Sequence, residues 1–227
     1  MATQILLLHW KAVRIGLIPF VVAAFALPLI AVQGLGTTGG GALSLDAYRA
    51  VAAFQIFMPL FPLLAAAVGA TLALSAWNWD HQQGHVYALS LPLRRWEYSL
   101  LKLGAGVVLA LIPTGALLTG SLLATASVDL PTGLNAYPLD LTLRFLFASL
   151  LAYGVLFALA SGTTKTATIV LTSLIVLPLV AEGMLGFMAN FFPSIDQVSV
   201  VEEVFRAIWE SPGPLRVFFG NWMLIDV

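Results

Sequence analysis

Charged residues and cysteine are what this sequence has least of. Asp, Glu, Lys and Arg make up 9% of its 227 residues, whereas hydrophobic residues make up 60%. A soluble domain carries about 25% charged residues because water must wet its surface, so this composition excludes a soluble globular fold. The absence of cysteine excludes disulfides, thiolate metal sites and a cysteine nucleophile. The net charge of −1 offers no basic surface for nucleic acid.

Side chains that could act in catalysis or bind a metal are also scarce. The sequence has 3 histidines, and no nucleophile, base and acid form a recognisable catalytic set. His81 and His85 would share one helix face and could bind a metal, but such a pair is more typical of an exposed surface. We therefore expect no catalytic site, no metal and no cofactor.

Long apolar runs dominate what remains. A helix needs roughly 20 mostly apolar residues to cross a bilayer, and five segments qualify: 16–32, 51–77, 98–124, 143–159 and 167–188. Residues 215–227 are apolar but too short to span, so they form either a re-entrant or interfacial segment or the entrance to a sixth span, which we favour. The sequence thus predicts an all-α, polytopic transmembrane helix bundle with five spans plus a partial or missing sixth.

The basic residues indicate an orientation. Loops on the cytoplasmic side of a membrane carry an excess of Lys and Arg. One side of this chain carries six basic residues: Lys11, Arg14, Arg94, Arg95, Lys102 and Lys165. The other side carries four: Arg49, Arg144, Arg206 and Arg216. The N-terminus is therefore predicted to be cytoplasmic, in a multi-pass protein of the inner (plasma) membrane. Lys102 and Arg144 lie near span ends, from which we expect their side chains to reach the interface.

The organisation is that of a single transmembrane domain, residues 1–227. Residues 1–15 form an interfacial N-terminal segment, and residues 78–96 form a cytoplasmic loop. Residues 190–214 form an extracytoplasmic segment, within which 196–210 have apolar side chains near helical spacing, as in an amphipathic surface helix.

The loop after the second span, WNWDHQQGHVYALSLPLRRWEYSLLKLGAG, is too long for a tight turn. Asp80 suits the N-terminus of a short helix over residues 80–89, where a carboxylate meets the positive end of the helix dipole. The residues that complete this segment provide an apolar side, a helix stop and a headgroup anchor, in that order: Tyr87, Leu89 and Leu91, then Pro92, then Arg94 and Arg95.

This loop resembles that of the membrane subunits of type II ABC exporters. The family pattern is an acid, a glycine, a leucine-rich turn ending in Leu-Pro, an arginine and then a lysine in the next span. The matching positions are Asp80, Gly84, Leu89, Leu91, Pro92, Arg94 or Arg95, and Lys102. The resemblance implies that residues 80–91 are a coupling helix seated on a separate ATP-binding cassette subunit, which hydrolyses the ATP. It also implies a second permease subunit, in a homodimer or a heterodimer within the lipid bilayer.

Other interpretations remain open. Pro92 and the arginines could simply define a membrane boundary. The chain could be an accessory or scaffold subunit of a larger membrane complex, since no charge lies deep within the first four spans. Glu182, an acid well inside the fifth span, could make it a proton-coupled secondary transporter.

Overall fold

A computed structural model describes most of the first 162 residues and short parts of the rest. The described residues are 2–33, 56–82, 94–128, 134–162, 215–218 and 222–226, with single positions at 169, 172 and 180. Four long helices dominate: α1 (Ala2–Gln33), α2 (Leu60–Gln82), α3 (Arg95–Ala126) and α4 (Pro138–Ser161). Two short strands, β1 (Asn135–Ala136) and β2 (Ile225–Asp226), form a small sheet.

All four helices are long and apolar enough to cross a membrane. The qualifying stretches are Thr3–Val32, Leu60–Asn78, Trp96–Ala126 and Pro138–Ser161. The first four predicted spans are therefore confirmed as helices of suitable length and composition. In the fifth predicted span, residues 167–188, only three single positions are described. Glu182 lies outside the described residues.

The first helix includes most of the predicted interfacial segment, residues 1–15, and continues from it into the first predicted span. Residues 2–33 form one uninterrupted helix. Its spanning stretch has 30 residues, or about 45 Å at about 1.5 Å per residue, whereas a hydrocarbon core is about 30 Å thick. About a third of α1 would thus lie outside the core of a bilayer. Lys11 and Arg14, both exposed, mark the N-terminal part as the portion left outside.

Consecutive helices run in opposite directions. The first turns of α1 lie beside the last turns of α2, where His9 contacts Leu72 and Ser75. Trp77, near the end of α2, packs on Phe157, near the end of α4, with ring centroids 5.2 Å apart. One end of the bundle, the Asp80 end, therefore gathers the start of α1, the end of α2, the start of α3 and the end of α4.

Glycines allow two of the closest helix crossings. A Cβ on Gly120 would overlap the backbone carbonyl of Phe25, so the backbones of α1 and α3 approach closely there. A Cβ on Gly106 would overlap the hydroxyl of Tyr153 on α4. Small residues at crossings are how membrane helices gain close van der Waals packing without a hydrophobic driving force between them.

The described part of residues 215–227 does not confirm the predicted entrance to a sixth span. Residues 225–226 are extended and pair antiparallel with β1, Asn135 opposite Asp226 and Ala136 opposite Ile225. The Tyr137 amide also donates to the Leu224 carbonyl at 2.8 Å. The apolar run is too short to satisfy its backbone as a spanning helix, and the turn before α4 supplies partners instead.

Arg144 contacts an aromatic ring close to the second strand. Its guanidinium carbon lies 5.0 Å from the ring centroid of Trp222, which is 1% exposed. The side chain therefore makes a cation–π contact with this ring.

The chain divides into two compact units, the first comprising Met1–Phe157 and Asn221–Val227 and the second Ala158–Gly220. The first contains nearly all of the four helices and the sheet. The described part of the second includes the last turn of α4 and a 3₁₀ helix, Arg216–Phe218, in which the Phe218 amide donates to the Leu215 carbonyl at 3.0 Å. The predicted amphipathic segment, residues 190–214, lies outside the described residues.

Candidate functional site

A buried ion pair joins α2 to α3 at the Asp80 end. The Lys102 ammonium lies 2.7 Å from Asp80 Oδ2, and the two side chains are 7% and 1% exposed. The same ammonium donates to the Ala76 carbonyl at 2.6 Å. Ala76 and Asp80 are four residues apart on α2, so both acceptors lie on one helix face. Lys102 therefore binds two successive turns of α2.

Tyr98 completes the coordination of the carboxylate. Its hydroxyl lies 3.2 Å from both Asp80 oxygens and donates to them. Tyr98 and Lys102 are four residues apart on α3, so one face of α3 presents both donors. Charge-assisted hydrogen bonds of this kind are roughly twice as strong as neutral ones, and a buried charge is stable only when it is paired and hydrogen-bonded.

Aromatic rings form two walls around the Lys102 ammonium. The nitrogen lies 4.7 Å from the Trp77 ring centroid and 4.8 Å from that of Tyr98. A cation over an aromatic face within about 6 Å is attracted by the ring quadrupole, by about 2 kcal/mol when water is excluded. We call Asp80, Tyr98 and Lys102 the clamp; Trp77 packs on it.

A tyrosine of the fourth helix binds the backbone of α3 at Lys102. The Tyr153 hydroxyl donates to the carbonyl of Lys102 at 3.1 Å, with the carbonyl of Leu103 at 3.3 Å. Gly106, one turn further along α3, leaves space for this ring. The clamp thus fixes α2 against α3, and Tyr153 fixes α3 against α4.

The first helix contributes a buried histidine. His9 Nε2 lies 3.1 Å from Ser75 Oγ and 3.3 Å from the Leu72 carbonyl, and the residue is 5% exposed. Donation to the carbonyl requires the proton on Nε2, which assigns Nδ1 as an acceptor. Within the described part of the chain, Nδ1 has no hydrogen-bond partner.

A cavity of about 30 Å³ separates His9 from the clamp. Its polar lining comes from His9, Ser75 and the three clamp residues, and its apolar lining comes mainly from the first turns of α1. Among the described residues, no group of three His, Asp or Glu side chains is placed to hold a metal ion.

The structure places some of the predicted coupling residues and leaves others outside its description. It brings Asp80 and Lys102 together. Arg94 is exposed immediately before α3, where its amide donates to Glu97 at 3.4 Å, and Arg95 begins that helix. The loop residues among the predictions lie outside the described residues: Gly84, Tyr87, Leu89, Leu91 and Pro92.

Two sequence expectations at this site are wrong. Asp80 lies in the last turn of α2 and not at the N-terminus of a new helix, because its carboxylate is held by Lys102 and Tyr98. Lys102 does not extend to the interface, since its ammonium binds inward between α2 and α3.

Sequence reasoning missed Tyr98, Tyr153 and His9. The spacing of four between Tyr98 and Lys102 was a usable signal for a shared face. Tyr153 lies some fifty positions from its partner carbonyls, and no local pattern predicts that contact.

Comparison with known proteins identifies no relative: no family model matches the chain, and neither a curated protein nor a solved structure matches it. Its function must therefore be argued from the loop sequence and from the geometry of the clamp.

Proposed function

We propose that this chain is the membrane-spanning permease subunit of an ATP-driven ABC exporter. Residues 80–95 would couple it to a separate ATP-hydrolysing subunit, with the N-terminus in the cytoplasm and the protein in the inner (plasma) membrane. Residues 167–188 would supply a fifth span. The four apolar helices support a membrane location, and the Asp–Gly–Leu-Pro–Arg–Lys pattern supports this class of transporter.

The observation that carries the proposal is the position of the clamp. Residues 83–93 leave the end of α2 and return at the start of α3, and the clamp joins those two helix ends through buried charge. A displacement of the loop by a partner protein would therefore move α2 and α3 together. Removing one partner of a buried ion pair costs about 3–5 kcal/mol because the other charge is left unpaired, so the pair favours keeping the two helix ends together.

The fourth helix would extend this movement. Because the Tyr153 hydroxyl holds the carbonyls of Lys102 and Leu103, a shift of α3 is passed to α4. Closure of two ATP-binding subunits would then rock the spans of two permease subunits, identical or related, around a substrate path. The chain itself would hydrolyse nothing.

The test is site-specific photo-crosslinking of the full-length, tagged chain in its native membranes. A benzoylphenylalanine replaces Tyr87, in the loop, and in a matched control it replaces Tyr137, which is exposed at the opposite end of the bundle. Position 87 should capture a protein that contains a nucleotide-binding phosphate loop, and position 137 should not.

Two results would contradict the proposal. One is a purified complex without any ATP-binding subunit and no crosslink to one from position 87. The other is capture of the same ATP-binding protein from both positions, since that contact could not be specific to the loop. Capture of a pigment, redox or secretion component instead would favour the accessory-subunit interpretation.

A further inference from the structure

Two cations lie on the outer side of α1. Lys11 and Arg14 are exposed and are three residues apart, so they share one face of the helix. Val13 and Leu17 are buried and lie on the opposite face, which packs into the bundle. Among the described residues, neither cation has an ion pair or a hydrogen bond. The face that bears the two cations is therefore free to bind a partner from outside the chain.

The acidic residues described at the Asp80 end do not neutralise these charges. The first helix itself contains no acid. Asp80 is 1% exposed and is bound to Lys102, and the Glu97 carboxylate accepts the amide of Arg94. A partner for Lys11 and Arg14 must therefore supply negative charge of its own.

An apolar ridge continues from the two cations along the same face of α1. Ile15, Ile18 and Val22 are all more than half exposed, and their spacing places them in line with Lys11. The ridge ends at Phe25, which is also exposed. The rise from Ile15 to Phe25 is about 15 Å at about 1.5 Å per residue, which is about half of a hydrocarbon core of about 30 Å. The ridge therefore has the length of one leaflet.

The length of α1 places the cations at the headgroups of that leaflet. Residues 15–32 carry no charge and rise about 27 Å, close to the thickness of a hydrocarbon core. Helical side chains tilt toward the N-terminus of their helix, and the long stems of Lys and Arg carry the charge further toward the polar region. Lys11 and Arg14 thus reach the depth of the lipid phosphates, and the ridge lies directly beneath them.

We propose that Lys11 and Arg14 form a binding site for an anionic phospholipid of the surrounding leaflet. The phosphate accepts hydrogen bonds from the Arg14 guanidinium, whose planar fork matches phosphate oxygens, and pairs with the Lys11 ammonium. One acyl chain of the same lipid follows the ridge. This inference rests on the membrane location of the four helices and does not depend on the exporter assignment.

The site lies on the turns of α1 that also contact α2. His9, two residues before Lys11, lies on the inner face of α1, where its ring contacts the Leu72 carbonyl and the Ser75 hydroxyl. A lipid bound on the outer face holds these turns at the membrane surface. Anionic lipid would therefore stabilise the packing of α1 on α2 beside the clamp.

The absence of cysteine allows a fluorophore to be attached at one chosen position of the full-length chain. I18C places a bimane on the ridge, and L111C places it at an exposed position of α3 as the matched control. The two depths are similar because Phe25 of α1 crosses Gly120 of α3, and the labelled positions precede that crossing by seven and nine residues. The nearest basic residue of α3, Lys102, is buried and bound to Asp80.

Each labelled chain is placed in nanodiscs of phosphatidylcholine with a minor fraction of phosphatidylglycerol. Acyl chains that carry bromine quench bimane, and either the phosphatidylglycerol or the phosphatidylcholine is brominated. Quenching at both positions by both lipids follows from the membrane location alone. The preference between the two lipids tests the site.

We expect phosphatidylglycerol to be enriched beside I18C at least about fivefold over its bulk fraction, because each cation near an anionic surface favours it by about that factor. No enrichment is expected beside L111C. The enrichment at I18C should disappear when K11Q and R14Q are added, and it should remain with the charge-conserving changes K11R and R14K.

Three results would overturn the site: no enrichment beside I18C, equal enrichment beside I18C and L111C, or enrichment that survives K11Q and R14Q. Absence of quenching by either lipid at both positions would overturn the membrane location, and the site with it.

A second measurement uses the wild-type chain and so does not depend on labelled variants. The intact chain is released into a mass spectrometer from micelles that contain equal amounts of the two lipids. Bound phosphatidylglycerol should exceed bound phosphatidylcholine by at least about fivefold, and this excess should fall in K11Q/R14Q. Equal retention of the two lipids by the wild-type chain would refute the proposal.

Discussion

Replacing Lys102 with methionine tests the clamp most directly. Met keeps most of the length and apolar stem of the side chain but removes the ammonium, so Asp80, 1% exposed, keeps its charge with only the Tyr98 hydroxyl beside it. Removing one partner of a buried ion pair costs about 3–5 kcal/mol. We expect K102M to lower the free energy of unfolding in mild detergent micelles by that amount.

The double variant D80N/K102M separates the charge effect from the packing effect. Here no unpaired charge is left, and the amide oxygen that replaces the carboxylate can still accept the Tyr98 hydroxyl. The losses that remain, which K102M shares, are the hydrogen bond to the Ala76 carbonyl, worth about 1 kcal/mol, and the cation–π attraction to Trp77 and Tyr98, worth about 2 kcal/mol. The double variant should therefore be more stable than K102M alone, with a coupling energy of at least about 2 kcal/mol in the double-mutant cycle.

The control is Lys11→Met, which removes an exposed lysine from α1 and should change stability by less than about 0.5 kcal/mol. If the losses in D80N and K102M simply add in the double variant, the two side chains do not act as a buried pair. That result would refute the clamp, and with it the structural basis of the proposed coupling.

Two further variants test the packing around the clamp and the returning chain end. Gly106→Ala should lower stability by about 1–3 kcal/mol, because its methyl overlaps the Tyr153 hydroxyl. Gly104→Ala is the control: a Cβ there has nothing within 4 Å, so the change should be neutral or stabilising by up to about 1 kcal/mol. Equal unfolding temperatures for the two variants would contradict the close contact of α3 with α4 at Gly106. Trp222→Ala should lower stability by about 3–5 kcal/mol because that ring is 1% exposed. Trp96→Ala, at a ring that is 58% exposed, should lower the unfolding temperature much less. A larger loss in Trp96→Ala than in Trp222→Ala would show that Trp222 is not packed as described.

The helices were predictable because the signal for a spanning helix is long and redundant. A window of about 20 apolar residues tolerates the loss of several positions, and the four described spans were all found. Their bounds were harder to predict. Apolar composition alone does not show that α1 begins at Ala2 and continues without a break past Lys11 and Arg14. A charged helix end and a polar loop have similar hydropathy, so hydropathy does not distinguish them.

The site was only half predictable. Asp80 and Lys102 were identified singly, from a resemblance of the loop, but their pairing was not, since it depends on how two helices meet. The strand pairing within residues 215–227 could not be predicted for the same reason. Residues 215–227 resemble a short apolar span, and only the position of β1 reveals that Ile225 and Asp226 have a strand to pair with.

The distribution of buried polar groups favours the clamp as a joint and not as part of a substrate path. Within the part of the chain that the structure describes, the two charged side chains that are buried, Asp80 and Lys102, both lie at one end of the bundle. Buried hydroxyls further along, such as those of Thr114 and Thr142, donate to carbonyls of their own helices at 2.8 and 2.7 Å. Those bonds hold no helix to another. A bundle whose buried ion pair fixes its loop-bearing end can tilt about that end, which is the movement that a force on residues 83–93 would produce.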